Sequence, residues 1–190
     1  MKGGLALLLL SAVGCTSTRY MRDAEPTPPP GPGETKIIVY RTAVLGGVDN
    51  FPVYDLADDA GKLLGFTETD CYFEYRCEPG RHLFLTWNEG ETFVEAELAP
   101  GTTYYLQAWS KFGIVSSRPG FAPTAPGSDA YLDLQQRRTR LRCRELDPIL
   151  GAEYEKNHAE RVRESKAAWE AGVRKPKVLP PEAGEPTPLN

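Results

Sequence analysis

The sequence predicts a mainly β protein: an antiparallel β-sandwich of about seven strands, followed by one or two C-terminal α-helices and a disordered tail. Three observations carry that expectation. Between Cys77 and Trp109, runs rich in β-branched and aromatic residues are separated by turn signals, the pattern of consecutive antiparallel strands. Pro79-Gly80 and Pro100-Gly101 supply the fixed φ and then the positive φ that a type II turn needs. Four more short runs lie upstream at a spacing of about 8–15 residues, which suits a sandwich or barrel and not a parallel α/β sheet.

In chain order, those upstream runs are Lys36–Arg41, Phe51–Leu56, Lys62–Phe66 and Cys71–Cys77. β-branched content marks the first, and Pro52 suits an edge or a strand start in the second. Residues 44–50 and 58–61 read as a loop and a turn. In the strand around His82, Leu83, Leu85 and Trp87 share one face and His82, Phe84 and Thr86 the other. Residues 112–116 offer one more strand. The stretch from Arg118 to Gly127 carries three prolines and two glycines and reads as an irregular loop.

Beyond it, Ser128 suits a helix N-cap before Tyr131. Arginines at 137, 138, 140, 142 and 144 follow, on either a helix or a strand that shows Thr139, Leu141 and Cys143 on one face. Pro148 ends that element. A second helix from about Gly151 to Gly172 shows Tyr154, His158, Val162, Ser165 and Trp169 at three- and four-residue spacing, with charges on the opposite face. Residues 176–190, rich in Pro and Glu, read as a disordered tail.

Composition narrows the function classes. A formal charge of −4 argues against a nucleic-acid binder. The two histidines and four scattered cysteines lack Cys-x-x-Cys spacing, so no metal is implied. The chain has no phosphate-binding glycine loop and no Gly-x-Ser-x-Gly elbow, and no cofactor or catalytic residue is assigned.

The N-terminus gives an address. Lys2 precedes an apolar run of about ten residues, too short for a bilayer core that needs roughly 20. Such a start is a secretory signal. Ala12-Val13-Gly14-Cys15 resembles the lipobox of bacterial lipoproteins; an ordinary signal that happens to contain Cys15 is the other reading. The resemblance implies cleavage of residues 1–14, acyl chains such as palmitate on Cys15, and a mature charge of −5 once Lys2 is gone (−4 minus +1). Thr16, where the sorting pattern has Asp for inner-membrane retention, implies the outer membrane, facing the periplasm. Residues 15–35 read as a lipidated cysteine and Pro-rich tether.

The globular region, residues 36–120, carries a second resemblance. Val39-Tyr40-Arg41, a short strand around Gly65, Pro79-Gly80-x-His82 and Gly101-x-x-Tyr104-Tyr105-Leu106 look like a widespread small all-β domain of bacterial lipoproteins. Arg81 and Thr102 stand where lysines are commoner in that family. The family has no assigned activity, so the resemblance implies fold and envelope location alone.

Four features invite a role. His82, beside its Pro-Gly turn, reads as a histidine bonded to loop backbone. The arginines at 137–144 read as a solvated face balanced by nearby carboxylates, with an anionic lipid or glycan surface as the sharper alternative. Tyr72, Phe73, Tyr75, Trp87, Tyr104, Tyr105 and Trp109 read as core, with a ligand groove as the alternative. After lipidation three cysteines remain. Cys71 and Cys77 on one strand lie about 20 Å apart, beyond bridging distance. A disulfide would therefore join Cys143 to one of them, preferably Cys77, which ends its strand.

The stripe of Tyr154, Val162 and Trp169 is the candidate partner surface, packed near Tyr154 and exposed toward Trp169. Two functions follow: a membrane-anchored, non-enzymatic envelope lipoprotein that docks a protein partner or serves structurally, or a small-ligand module using the aromatic strands.

Overall fold

The computed structural model describes residues 18–42, 49–58, 60–114 and 116–188. The signal segment and Cys15 lie outside the described residues.

Among the described residues, twelve strands form two packed sheets. Seven of them fill the region read as the sandwich: β2 (Thr35–Arg41), β3 (Phe51–Asp55), β4 (Lys62–Thr67), β5 (Cys71–Cys77), β6 (Gly80–Trp87), β7 (Glu91–Leu98) and β8 (Thr102–Phe112). The chain adds β1 (Met21–Asp23), β9 (Ser117–Pro123), β10 (Arg142–Leu146), β11 (Lys177–Leu179) and β12 (Glu185–Pro186). The first sheet runs β1-β10-β5-β2-β8-β12 with β9 also on β8, and the second runs β11-β7-β6-β3-β4.

At both Pro-Gly corners the chain changes sheets. β5 passes from the first sheet to β6 in the second through Pro79-Gly80, and β7 returns to β8 through Pro100-Gly101. Gly101 has φ +67, which a side chain would resist. Most pairings are antiparallel, but β2–β8, β5–β10 and β7–β11 are parallel. In each of those pairs the partners are far apart in sequence, so no hairpin dictates their direction.

Each sheet is covered on its outer face by a helix. α1 (Asp129–Arg137), capped by Ser128 as its sequence suggests, places Leu134 against Ile38, Tyr40, Tyr72 and Tyr105 of the first sheet. A single 3-10 turn, Arg138–Arg140, leads from it into β10. α2 (Pro148–Glu170) is capped by Asp147, whose carboxylate accepts the Ile149 and Leu150 amides at 3.0 Å. It ends at Ala171, with Gly172 at φ +72 and Val173 N–H donating to the Ala168 carbonyl.

Because both faces are covered, the strands lose their alternation: every residue of β2 and β3 is buried. Leu85 and Leu106 are fully buried as their positions suggest, but so are Phe84 and Thr86 on the opposite face.

Three segments read as irregular are structured. Residues 117–123 form β9 beside β8, because Gly120 lets the backbone lie over the Trp109 ring. The stretch read as a disordered tail is tied down by β11 at the β7 edge, by the buried Leu179 and by β12 against β8. Short edge additions of this kind rest on main-chain hydrogen bonds, which composition does not reveal.

The Pro-rich segment is likewise docked instead of spanning free. The Thr27 amide donates to Glu74 Oε2 at 2.9 Å, Lys36 Nζ donates to the Thr27 carbonyl at 2.8 Å, Arg76 reaches the Pro28 carbonyl, and Pro30 is buried.

Candidate functional site

Of the strand aromatics, Tyr72, Phe73, Trp87, Tyr104 and Tyr105 are buried in the two cores, Tyr105 also bordering a cavity of about 240 Å³ beside Thr27 and Glu185. Trp109 is half-buried, with the ammonium groups of Lys111 and Lys177 over its ring. What stands out is a polar cluster around His82, where β3, β5 and β6 meet.

Asp55 ends β3 and is buried. Its Oδ2 lies 2.7 Å from His82 Nδ1 and accepts the Tyr75 hydroxyl at 3.1 Å, while Oδ1 accepts the Ala57 amide at 3.0 Å. His82 Nε2 lies 2.9 Å from the Glu78 carbonyl, an acceptor only, so this nitrogen carries a proton. Both ring nitrogens therefore face acceptors, an arrangement that suits an imidazolium. Burial opposes the charge, but the hydrogen bonds to Asp55 and Cys77, the Asp55 charge and the Glu78 carbonyl outweigh it. The result is a pKa raised to about 10. Burial pushes the Tyr75 phenol upward as well, with the Asp55 charge adding to it, so the phenol stays a neutral donor.

The sequence reading of His82 as a backbone-bonded histidine holds for Nε2. The buried carboxylate on Nδ1 comes from 27 residues away and left no local signal.

On the solvent side of this cluster runs a groove of about 290 Å³ between β6, β7 and α2. Arg81 and Lys166 bring positive charge to it, Glu95 opposes them, His82 is paired with Asp55 at its floor, and Leu83 and Trp169 supply apolar surface. Arg81 is 84% exposed and stands 3.7 Å from Glu97. The volume is at the low end for small-molecule pockets, which are also more enclosed.

The helix stripe does not present a free partner surface. Val162 is buried, and Tyr154 and Trp169 pack against the main core. Tyr154 meets Tyr20 and Phe66 edge-on, and Trp87 lies against His158 with Arg161 over its ring. A stripe this thin suffices because the sheet's own aromatics reach up to it. Trp169 keeps its outer part in the groove, and Tyr154 is likewise only half-buried.

Cys71, Cys77 and Cys143 are free thiols, which corrects the expected Cys77–Cys143 bridge. β10 pairs with the other end of β5, placing Cys143 beside Tyr72 while Cys77 pairs with Thr35. Cys77 lies five steps along the strand from Tyr72, a gap of roughly 16 Å. Among the described residues no group of three His, Cys, Asp or Glu is placed to hold a metal ion.

The arginines divide. Arg144 is buried, with Nε 2.9 Å from Glu68 Oε2 and Nη1 2.6 Å from Asp23 Oδ1. Arg137 pairs with Asp133, and Arg138, Arg140 and Arg142 are exposed.

Comparison of the chain with protein-family models, with curated proteins and with solved structures finds no match.

Proposed function

We propose that this chain is a bacterial envelope lipoprotein, anchored through Cys15 and carried on the periplasmic side of the outer membrane. In this reading its sandwich is a non-enzymatic docking module for an acidic segment of another envelope protein. The observation that carries the docking reading is the groove: the Arg81 guanidinium and the Lys166 ammonium flank the exposed part of Trp169. Cations flanking an aromatic face suit a carboxylate-bearing peptide. His82 held as an imidazolium has no lone pair to act as a base near neutral pH, which supports a binding role over a catalytic one. The small-ligand reading is weakened by the burial of the strand aromatics.

A photo-crosslinking residue placed at Lys166 in cells should capture an envelope protein. Arg81→Glu should abolish the adduct while leaving the thermal midpoint unchanged. An adduct that survives Arg81→Glu would overturn the acidic-segment reading, and no adduct at Lys166 would overturn docking at this groove.

A further inference from the structure

α1 covers one end of the first sheet's outer face, and the two ends of the chain enclose the other. There Lys36 and Ile38 of β2 lie beside Thr103 and Tyr105 of β8. The Pro-rich segment flanks this patch on the β5 side, where Thr27 bonds to Glu74, and the strap that begins with β12 flanks it at the β8 edge. Between them lies the cavity of about 240 Å³, which Arg138 of the 3-10 turn also lines. At roughly 30 Å³ per water it has room for about eight, the bulk of a small amino acid and less than a drug-sized ligand.

The charges in the cavity wall differ in their partners. Lys36 Nζ is matched by Glu74 Oε2 at 3.2 Å, both side chains being buried. Arg138 and Glu185 are exposed, and among the described residues neither makes an ion pair. Glu185 is held from behind: its Oε2 accepts the Tyr105 hydroxyl at 2.8 Å, and its backbone pairs with Thr103. A carboxylate has about four acceptor sites, so this bond leaves it able to receive an ammonium. The Thr187 hydroxyl in the same wall is buried and has no hydrogen-bond partner among the described residues. The cavity thus presents a guanidinium, a carboxylate and an unbonded hydroxyl between proline rings.

We infer that this cavity binds a small zwitterion, a free α-amino acid or a dipeptide, with its carboxylate on Arg138, its ammonium on Glu185 and a polar group on Thr187. A guanidinium suits a carboxylate through paired, charge-assisted hydrogen bonds. A purely anionic ligand would meet Glu185, and a purely cationic one would meet Arg138, so a ligand of both charges fits best. The site is built from the chain ends and not from the core aromatics. It shares no lining residue with the groove beside His82, and it depends on neither the docking reading nor the lipid anchor.

Isothermal titration of the full-length chain with glycine, L-serine and L-alanyl-L-alanine tests this. At least one should bind saturably, with a Kd of about 1 mM or tighter. Its N-acetylated and C-amidated forms each lack one charge and should bind more weakly by on the order of 10-fold or more. Arg138→Gln should weaken the zwitterion by a similar factor without weakening the amide, which has no carboxylate to lose. Glu185→Gln keeps an acceptor for Tyr105 and should weaken the zwitterion without weakening the N-acetyl form. Arg140→Gln, in the same 3-10 turn but outside the cavity wall, should change nothing. The altered side chains are all exposed, so thermal midpoints should match the wild type. No saturable binding by any of the three, or Arg138→Gln binding as tightly as Arg140→Gln, overturns the site. Blocked forms that bind as tightly as the parent overturn the zwitterion.

Discussion

Asp55 Oδ2 and His82 Nδ1, 2.7 Å apart, join the end of β3 to the start of β6, and Tyr75 from the opposite sheet donates to the same carboxylate. One buried anion thus holds three strands and both sheets together. The pH dependence follows from the direction of the His82 shift. Its pKa in the fold is about 10 against an ordinary 6.5, so its contribution to stability is complete below about pH 6.5 and is lost as pH rises through 10. Wild-type thermal midpoints should fall across that window more steeply than those of His82→Gln. Asp55→Asn strands the imidazolium and should cost roughly 3–5 kcal/mol in urea unfolding at neutral pH. A midpoint insensitive to pH between about 7 and 10 would contradict the charged histidine.

Leu85 and Leu106 sit in the two facing sheets and are fully buried. Each Leu→Ala change should destabilise by roughly 2–5 kcal/mol, the range for a leucine whose cavity only partly collapses. Chemical denaturation of both variants measures this directly. A loss below about 0.5 kcal/mol at both positions would show that neither side chain is a core member.

The seven central strands were legible because their β-branched and aromatic runs and Pro-Gly corners are local signals. So were the Ser128 cap and the α2 periodicity. Partnerships across the chain were not. Nothing near Lys177 announces that it will extend the β7 edge, and nothing near Asp55 announces His82. The arginine run looked uniform, yet Arg144 alone is buried, since β10 inserts between β1 and β5. Tyr154, Val162 and Trp169 share one face of α2, as their spacing in the sequence implies. What lay opposite it was set by Tyr20, Phe66 and Trp87, which periodicity within α2 could not reveal.

Gly120 allows β9 to pair with β8. A Cβ built there would stand 2.1 Å from the Trp109 ring, so any side chain must displace the indole. The ring also carries Lys111 and Lys177, and its displacement reaches β11 as well as β9. Gly120→Ala should cost about 1–3 kcal/mol, the usual range for overpacking. Near-ultraviolet circular dichroism should report the altered indole packing. An unchanged spectrum together with an unchanged midpoint would mean that β9 does not lie over Trp109.

Arg144 clamps the N-terminal strand to the domain. Its Nη2 donates to the Met21 carbonyl at 2.6 Å and its Nη1 to Asp23, while its Nε faces the buried carboxylate of Glu68, which also accepts the Thr18 amide. Arg144→Met therefore removes the fastening of β1 and strands an anion that is 1% exposed. The expected loss is roughly 3–5 kcal/mol, most of it from the unpaired charge. If so, adding Glu68→Gln to Arg144→Met should recover a large part of the loss, because the stranded carboxylate is gone. Simple additivity of the two single effects would refute the coupling. Fastening and burial can also be told apart. Freed from Arg144, β1 should become open to proteolysis at Arg19 and Arg22 in both the single and the double variant, whatever stability the second change restores. Protection of those sites in the double variant would mean that pairing with β10 holds the strand without the guanidinium.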